Sequence, residues 1–490
     1  MNNEEIEKYL NTWLLKENKT RCVDQKNLFS KDEYERLLKS VIDTIKDNTD
    51  KSLKELREIL YQKSGLEDKI KFFIQERGMT PGLVLSYGTN DFKETIITGY
   101  SQEVYFTNNG NKYYCPYRMK EDTIFDLASI TKLFTSISIL KLVQFGLISL
   151  DDKVQDIVPK FKNLKDVTVY DLLAFQVPLK TTSRIDRANS KDEAEDIIYN
   201  IEIDQENDNK KPYTDMGAMV LKYVIEEVTS IPYYNFLDTF ILKPNGLNNT
   251  YVTVPNEKID NVASTNGNGL YYKDGNYVIN ENPRKGVVFD PKAIIMDQEH
   301  GNLSGHAGLF SNASDMTTLA KQLINHNILN EKLLRELAKN RTGKKYIEDK
   351  KTKFIQYLGY LCYSKNPNLP DSEVYHALSG EAFASAGWCG TQLTVDPLNE
   401  IYFFLGGNRS HNRMTFIDPS QQWKIKQYRN KKTIILPNGE EMIDATRFAW
   451  DRDSEIVHPA IRLTIQYKML EDIIKKYENY TEQDHKVKII

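Results

Sequence analysis

Ser129 and Lys132 lie three residues apart in Phe125-Asp126-Leu127-Ala128-Ser129-Ile130-Thr131-Lys132, at the mouth of an apolar run. On a helix, positions i and i+3 share a face, so the amine comes within reach of the hydroxyl. Leu133, Phe134, Ile137, Leu140 and Val143 follow at helical spacing, which predicts a buried core helix. A serine hydroxyl is a poor nucleophile at neutral pH. A desolvated lysine, its pKa lowered by burial, can take the hydroxyl proton. The helix N-terminus adds partial positive charge and free N–H groups where an oxyanion would form. The chemistry open to this pair is nucleophilic acyl transfer. Serine and lysine are common, and most Ser-x-x-Lys pairs are solvated surface. The apolar setting separates this one, because a buried amine is costly without a partner or a task.

The bulk properties remove several other classes. At 490 residues there is room for two or three units with their own cores. A net charge of -4 excludes a nucleic-acid partner recruited by phosphate neutralisation. No run is apolar for long enough to span a bilayer, and residues 1–20 are polar and charged without a signal core. The sequence therefore predicts a cytoplasmic protein without a membrane partner. Cys22, Cys115, Cys362 and Cys389 are widely spaced, form no metal-binding pair, and are expected as free thiols. The seven histidines are scattered, so neither a metal nor a cofactor is expected.

Residues 1–78 read as a helical preface. Tyr34, Leu37, Leu38, Val41, Ile42 and Ile45 make one apolar stripe, and Leu53, Leu56, Ile59 and Leu60 make another. Gly78 and Pro81 end the helical pattern. Strand chemistry follows at 82–87 and 95–100 across a Gly88-Thr89-Asn90-Asp91 turn, with a third strand near 113–117. Beyond the Ser129 helix, which ends near Gly146, helix and loop dominate to about residue 340. Residues 180–211, charged and poor in apolar side chains, are expected to form an exposed, mobile excursion. Strand signals return at 357–363, 392–395 and 401–405, the last two joined by Asp396-Pro397-Leu398-Asn399. A terminal helix carries Ile465, Met469, Leu470, Ile473, Ile474 and Tyr477 on one face. Strands at both ends around a helical middle predict one α/β unit interrupted by a helical insertion.

These blocks together resemble the serine β-lactamase and penicillin-binding-protein superfamily, within the branch of class C β-lactamases, D-alanyl-D-alanine carboxypeptidases and carboxylesterases. Residues 125–132 match its Phe-Asp-x-Ala-Ser-x-Thr-Lys block. Gly146-Leu147-Ile148-Ser149-Leu150-Asp151-Asp152 resembles the segment that follows. Ser304-Gly305-His306-Ala307-Gly308-Leu309-Phe310-Ser311 resembles a Gly-x-Ala-Gly-Leu-x-Ser segment, and 388–397 the late strand hairpin. The resemblance covers about 79–475. It implies an α+β, β-lactamase/transpeptidase-like domain over 79–480, an antiparallel sheet flanked by helices with an inserted helical domain; its α/β part is 79–125 and 345–480, its helical part 126–344, and residues 1–78 are a helical N-terminal extension.

By the same resemblance Ser129 is the acylated nucleophile and Lys132 its proton acceptor. The Tyr-x-Asn motif corresponds to Tyr213-Thr214-Asp215, which makes Tyr213 a proton shuttle to the leaving group. Asp215 replaces asparagine, and a carboxylate there favours charged Lys132. The third motif, Lys-Thr-Gly or His-Thr-Gly, is Ser385-Ala386-Gly387 here, so its cation and its threonine hydroxyl are gone. Asp215, Ser385, Ala386 and Gly387 are the implied substrate-binding positions. Backbone N–H groups of Trp388 and Ser129 are the implied oxyanion hole, since backbone donors survive side-chain replacement. Arg409 and Arg413 stand just beyond the last strand, as substitute cations or as surface residues. His306, in a His-x-Gly, belongs to a different block from the third motif and is read as structural or at the rim. Leu172-Leu173-Ala174-Phe175-Gln176-Val177-Pro178-Leu179 departs from a Leu-Leu-x-His-x-Ser-Gly-Leu pattern.

With the cation lost, the expected activity is a serine hydrolase or acyltransferase acting on a small ester or amide. The alternatives are a D-alanyl peptidase or β-lactamase, and, of a different class, a catalytically impaired relative serving as a binding or scaffold protein.

Overall fold

The structure, a computed structural model, describes residues 3–18, 28–76, 80–106, 112–207, 213–265, 270–273, 276–279, 285–343, 356–366, 372–411, 416–417, 433–435, 441–444 and 454–476. Four helices come first: α1 (Asn3–Asn18), α2 (Leu28–Lys46), α3 (Leu53–Ser64) and α4 (Leu66–Lys71). Their apolar stripes are the buried faces, with Tyr34, Leu38, Val41, Leu56 and Leu60 fully enclosed. What covers them is the rest of the chain. Glu33 and Arg57 form ion pairs with Arg462 and Glu471 of the closing helix Ser454–Lys476, and the Tyr34 hydroxyl donates to the Ala377 carbonyl.

Strands β1 (Gly82–Gly88), β2 (Lys93–Phe106) and β3 (Lys112–Arg118) form a meander, and β4 (Ile124–Asp126) leads to Ser129. The helical middle then runs through α5 (Thr131–Gln144), α6 (Val154–Ile157) and α7 (Val169–Leu173). A short ladder of β5 (Leu179–Lys180) and β6 (Glu202–Ile203) brackets α8 (Lys191–Tyr199). Next come α9 (Met216–Thr229), α10 (Tyr233–Leu237), the hairpin β7 (Leu270–Lys273) and β8 (Asn276–Ile279), and α11 (Pro291–Ile295). Strand β9 (Phe310–Asn312), α12 (Ala313–Ile324) and α13 (Glu331–Ala338) end this part. The chain then returns to the sheet with β10 (Tyr363–Ser364), β11 (Phe383–Gly387), β12 (Thr391–Asp396) and β13 (Ile401–Gly407).

Among the described residues, seven strands make one antiparallel sheet in the order β10-β11-β12-β13-β1-β2-β3. Strand β1 lies inside it, with Leu85 opposite Leu405 on β13 and Ile96 on β2. Both α12 and the closing helix pack on β1 and β13. A strand covered on both faces reads as a continuous apolar run, as Leu83-Val84-Leu85 does.

Two expectations are corrected. The β-rich run 357–363 is mostly a tight turn: Leu361 has φ 52°, Gly359 N–H bonds to Cys362 O, and strand begins only at Tyr363. Residues 180–207 are not an exposed excursion. Ile185, Ala194, Ile198 and Ile201, sparse among charges, are all buried by α8 and its neighbours, while 208–212 lie outside the described residues. The N-cap of α12 is Asn312, whose side chain accepts from Asp315 N–H. Cys115, Cys362 and Cys389 are free thiols, and Cys22 lies outside the described residues.

Candidate active site

Ser129 sits in a single 3₁₀ turn, Ala128–Ile130, that feeds directly into α5. The turn is strained: Ala128 holds φ 45°, a left-handed conformation that costs a non-glycine residue about 1–2 kcal/mol. Asp126 holds the bend, accepting the Ala128 N–H at 2.8 Å and the Phe289 N–H at 2.7 Å. Burial pushes its carboxyl up to about 6, against the pull of those two donors. Leu309 ties the turn at both ends, its carbonyl accepting the Leu127 N–H at 2.9 Å and its N–H donating to Thr131 Oγ1 at 3.2 Å.

Lys132 has no exposed surface. Its Nζ donates to Ser129 Oγ at 2.8 Å, to Asp215 Oδ1 at 2.8 Å and to the His306 carbonyl at 3.3 Å. The spacing read from the sequence is therefore realised as a direct contact. The expected lowered pKa is not. Burial does work against the charged amine, but Asp215 and then Tyr213 outweigh it, and Lys132 titrates above a free lysine. Asp215 is displaced the other way: burial raises its carboxyl, and Lys132, His306 and Lys292 together drive it far below the carboxylate range.

Tyr213 is the middle ring of a stack. Phe175 lies parallel on one side (5.5 Å, 23°) and Tyr363 on the other (5.7 Å, 8°), with Lys132 Nζ 5.0 Å from the ring centroid. Phe175, in the reshaped 172–179 segment, holds φ 53° to reach this position. The stack fixes the phenol by packing on both faces, leaving it partly exposed.

Two residues without a prior assignment extend the charge network. Lys292 Nζ lies 3.2 Å from Asp215 Oδ2 and 3.2 Å from Asp290 Oδ2. Asp290 caps α11, accepting the Lys292 and Ala293 N–H groups, and bonds His306 Nε2 at 3.0 Å. Burial pulls against both charges here too. His306 and Lys292 hold Asp290 well below the usual range, and Asp290 and Asp215 hold Lys292 above a free lysine. Asp215, Asp290 and His306 also offer one ligand atom each within 4.8 Å of one another, a grouping hidden by their distance in sequence. The Lys292 ammonium stands against both carboxylates as their counter-ion. His306 is buried, bonded through Nδ1 to Ser304, so its ring serves the network and only its carbonyl reaches Lys132. Gly305, beside it, has φ 86°, and a Cβ there would strike the Ala218 carbonyl of α9.

The opposite wall is β11. Strand β10 pairs with it only at Phe383 and Ala384, so the ladder on that side stops before Ser385. Ser385 and Ala386 are buried, whereas Trp388 is 40% exposed. A Cβ on Gly387 would collide with the Leu127 carbonyl and the Thr391 hydroxyl, so only glycine lets the strand abut the Ser129 turn. Arg409 does not enter the cleft. It is buried, with Nε on the Trp388 carbonyl at 3.0 Å and Nη2 on the Gly387 carbonyl at 3.3 Å. Arg413 lies outside the described residues. Cys389 is buried and its thiol is pushed well up, so it is an inert packing residue.

The structure thus brings Ser129, Lys132, Tyr213 and Asp215 together against a strand carrying Ser385, Ala386 and Gly387. A family model described as Beta-lactamase matches residues 93–425. The chain belongs to that family and is a β-lactamase-related serine hydrolase. It is 28% identical over 323 residues to a provisionally assigned D-alanyl-D-alanine carboxypeptidase of Salmonella heidelberg (strain SL476), covering 61% of this chain and 72% of that one. Among solved structures it is similar to EstCE1, a hydrolase with promiscuous acyltransferase activity (TM-score 0.54, 16% identity, 72% of this chain and 94% of the other). It is also similar to a penicillin-binding protein homologue from Caulobacter crescentus (TM-score 0.52, 16% identity, 71% and 91%). At those identities the likeness defines the fold, an α+β transpeptidase-like architecture. No described helix is long and apolar enough to cross a membrane.

Proposed function

We propose that the protein cleaves, or transfers the acyl group of, a small ester or amide through an acyl-enzyme on Ser129. The observation that carries this reading is the 2.8 Å contact between a fully buried Lys132 amine and the Ser129 hydroxyl, with Tyr213 held alongside. The Ser129 oxygen attacks the carbonyl carbon, and its proton passes to Lys132 once that amine is neutral. The backbone N–H groups of Ser129 and Trp388 receive the oxyanion. Tyr213 passes the proton on to the leaving group, and water or another acceptor then releases the acyl group. Asp215 sets how often Lys132 is neutral, because its carboxylate holds the proton on.

The substrate reading rests on the β11 wall. A substrate ending in a carboxylate needs a cation there, and Ser385 supplies none. The carboxypeptidase relatives favour a second reading, a peptide ending in D-alanine. Lys292 is a further cation of the site, but two aspartates already hold it.

The test uses the full chain. A fluorophosphonate probe followed by mass mapping is expected to label Ser129, and p-nitrophenyl acetate to be hydrolysed. Folded protein with Ser129 unlabelled, or S129A retaining full esterase activity, would refute the mechanism. Release of D-alanine from an acyl-D-alanyl-D-alanine peptide faster than ester cleavage would replace the first substrate reading with the second.

A further inference from the structure

Arg409 is a charged side chain only 1% exposed, and a buried guanidinium persists where strong acceptors meet it. Two of its acceptors are consecutive carbonyls at the end of β11, those of Gly387 and Trp388. The Gly387 carbonyl belongs to the same peptide unit as the Trp388 N–H. In a planar trans peptide these two groups point in opposite directions. A donor on the oxygen end therefore lies on the far side of the strand from whatever the N–H end addresses. It also draws electron density along the amide and makes the N–H a stronger donor. The same oxygen accepts a second bond, from Gly390 N–H at 3.0 Å, in the turn into β12. Gly390 has φ 106°, and a Cβ there would press to 3.0 Å on Arg409 Cγ, so the turn is shaped around this side chain.

We propose that Arg409 is a positioning residue for the oxyanion hole, holding the Gly387–Trp388 peptide from behind β11 and polarising its N–H toward the substrate carbonyl. The inference rests on the reading of the Trp388 N–H as an oxyanion donor. The cation absent from the cleft side of the strand is thereby present on its back, where it strengthens the oxyanion hole without contacting substrate.

The experiment compares R409M, R409K and W388P in the full chain, with thermal denaturation to establish folding. Deleting an oxyanion donor outright costs about 10²–10³ in kcat, whereas polarisation changes a bond by about 10–30%. R409M is therefore expected to lower kcat on p-nitrophenyl acetate by about tenfold with KM within about twofold, and R409K by about threefold. The spectroscopic signature is the carbonyl stretch of the ¹³C-labelled acetyl-enzyme, which moves to higher frequency as the donor weakens, further in R409M than in R409K. A band unmoved in the folded variants, whatever their kcat, overturns the proposal by reducing Arg409 to packing. If R409M does not fold, R409K decides alone: an unshifted band overturns the role, and a shifted one supports it. W388P removes the N–H itself. A W388P enzyme with wild-type kcat overturns the oxyanion reading, whereas an inactive W388P beside R409 variants with the wild-type band overturns only the role of Arg409.

Discussion

The two walls of the cleft are built on different principles. The helical wall works through side chains: Lys132, Asp215, Lys292 and Asp290 form two ammonium and two carboxylate groups in alternating contact, with His306 closing the far end. The strand wall presents backbone, with Ser385 and Ala386 buried and Gly387 pressed onto the Leu127 carbonyl. Charge on the helical wall is exposed to pH and to substitution. On the strand wall Arg409 is buried on the Gly387 and Trp388 carbonyls and does not enter the cleft. The proposed neutral acyl group follows from this contrast, because the charges of the helical wall already answer one another and Ser385 on the strand wall offers none.

The most severe way to break the helical wall is at the proposed nucleophile. S129A is expected to lower kcat on p-nitrophenyl acetate by about 10⁴-fold or more, with folding intact by circular dichroism. K132M should cost about 10²–10⁴ by removing the proton acceptor, and should also strand Asp215 beside Lys292 alone. Y213F keeps the stack with Phe175 and Tyr363 and deletes only the hydroxyl. Its expected loss is about a hundredfold in kcat with KM nearly unchanged. A Y213F enzyme near wild-type rate would move the proton transfer off the tyrosine.

The walls also differed in how far they could be read from the sequence. Ser129 and Lys132 were legible because helical periodicity is local and fixes which side chains share a face. The same holds for the strands around 82–100 and 392–405, where alternation and turn residues are local signals. Lys292 and Asp290 were not legible, because only their helix start, Asp290-Pro291, has a local signature. Their place beside Asp215 is set by tertiary packing, which lays α9 on α5 and ties Asp290, at the head of α11, to His306. Arg409 read as surface or substitute cation, since an arginine after a strand is usually solvated and nothing local shows that it turns inward onto β11. Residues 357–363 misled for the converse reason: β-favouring side chains filled a turn that Leu361 closes with a positive φ.

A subtler change sharpens the electrostatic half of the comparison. Lys132 is held above its usual pKa and Asp215 below its own, with burial opposing both shifts. The depressed carboxyl contributes stability above its unfolded pKa of about 3.9 and loses it as pH falls through the folded value; the raised amine contributes below about 10.4 and loses it as pH rises through the folded value. The pair therefore stabilises the fold across neutral pH while keeping the base protonated. Wild-type kcat/KM is expected to climb into alkaline pH. D215N should move that climb about one to three pH units lower, the size of a single opposite-charge contact, and raise kcat/KM at pH 7 by about tenfold for each unit moved. A D215N profile that climbs at the wild-type pH would remove Asp215 from control of Lys132.

The smallest effect belongs to the strand wall. If backbone groups do the work there, removing a β11 side chain should touch binding and leave the chemical step alone. S385A deletes the one hydroxyl at the position where the resemblance places a cation, and Ser385 is buried tightly enough that no water-exposed rotamer competes. A single neutral hydrogen bond is worth about 1 kcal/mol, so KM for a small ester should rise by no more than about fivefold, with kcat within about twofold. The stability cost should be as small, because a methyl replaces the CH₂OH without opening a large cavity. A hundredfold loss in kcat would mean that the hydroxyl acts in the transition state. The strand wall would then work through side chains as the helical wall does, and the contrast between the two would disappear.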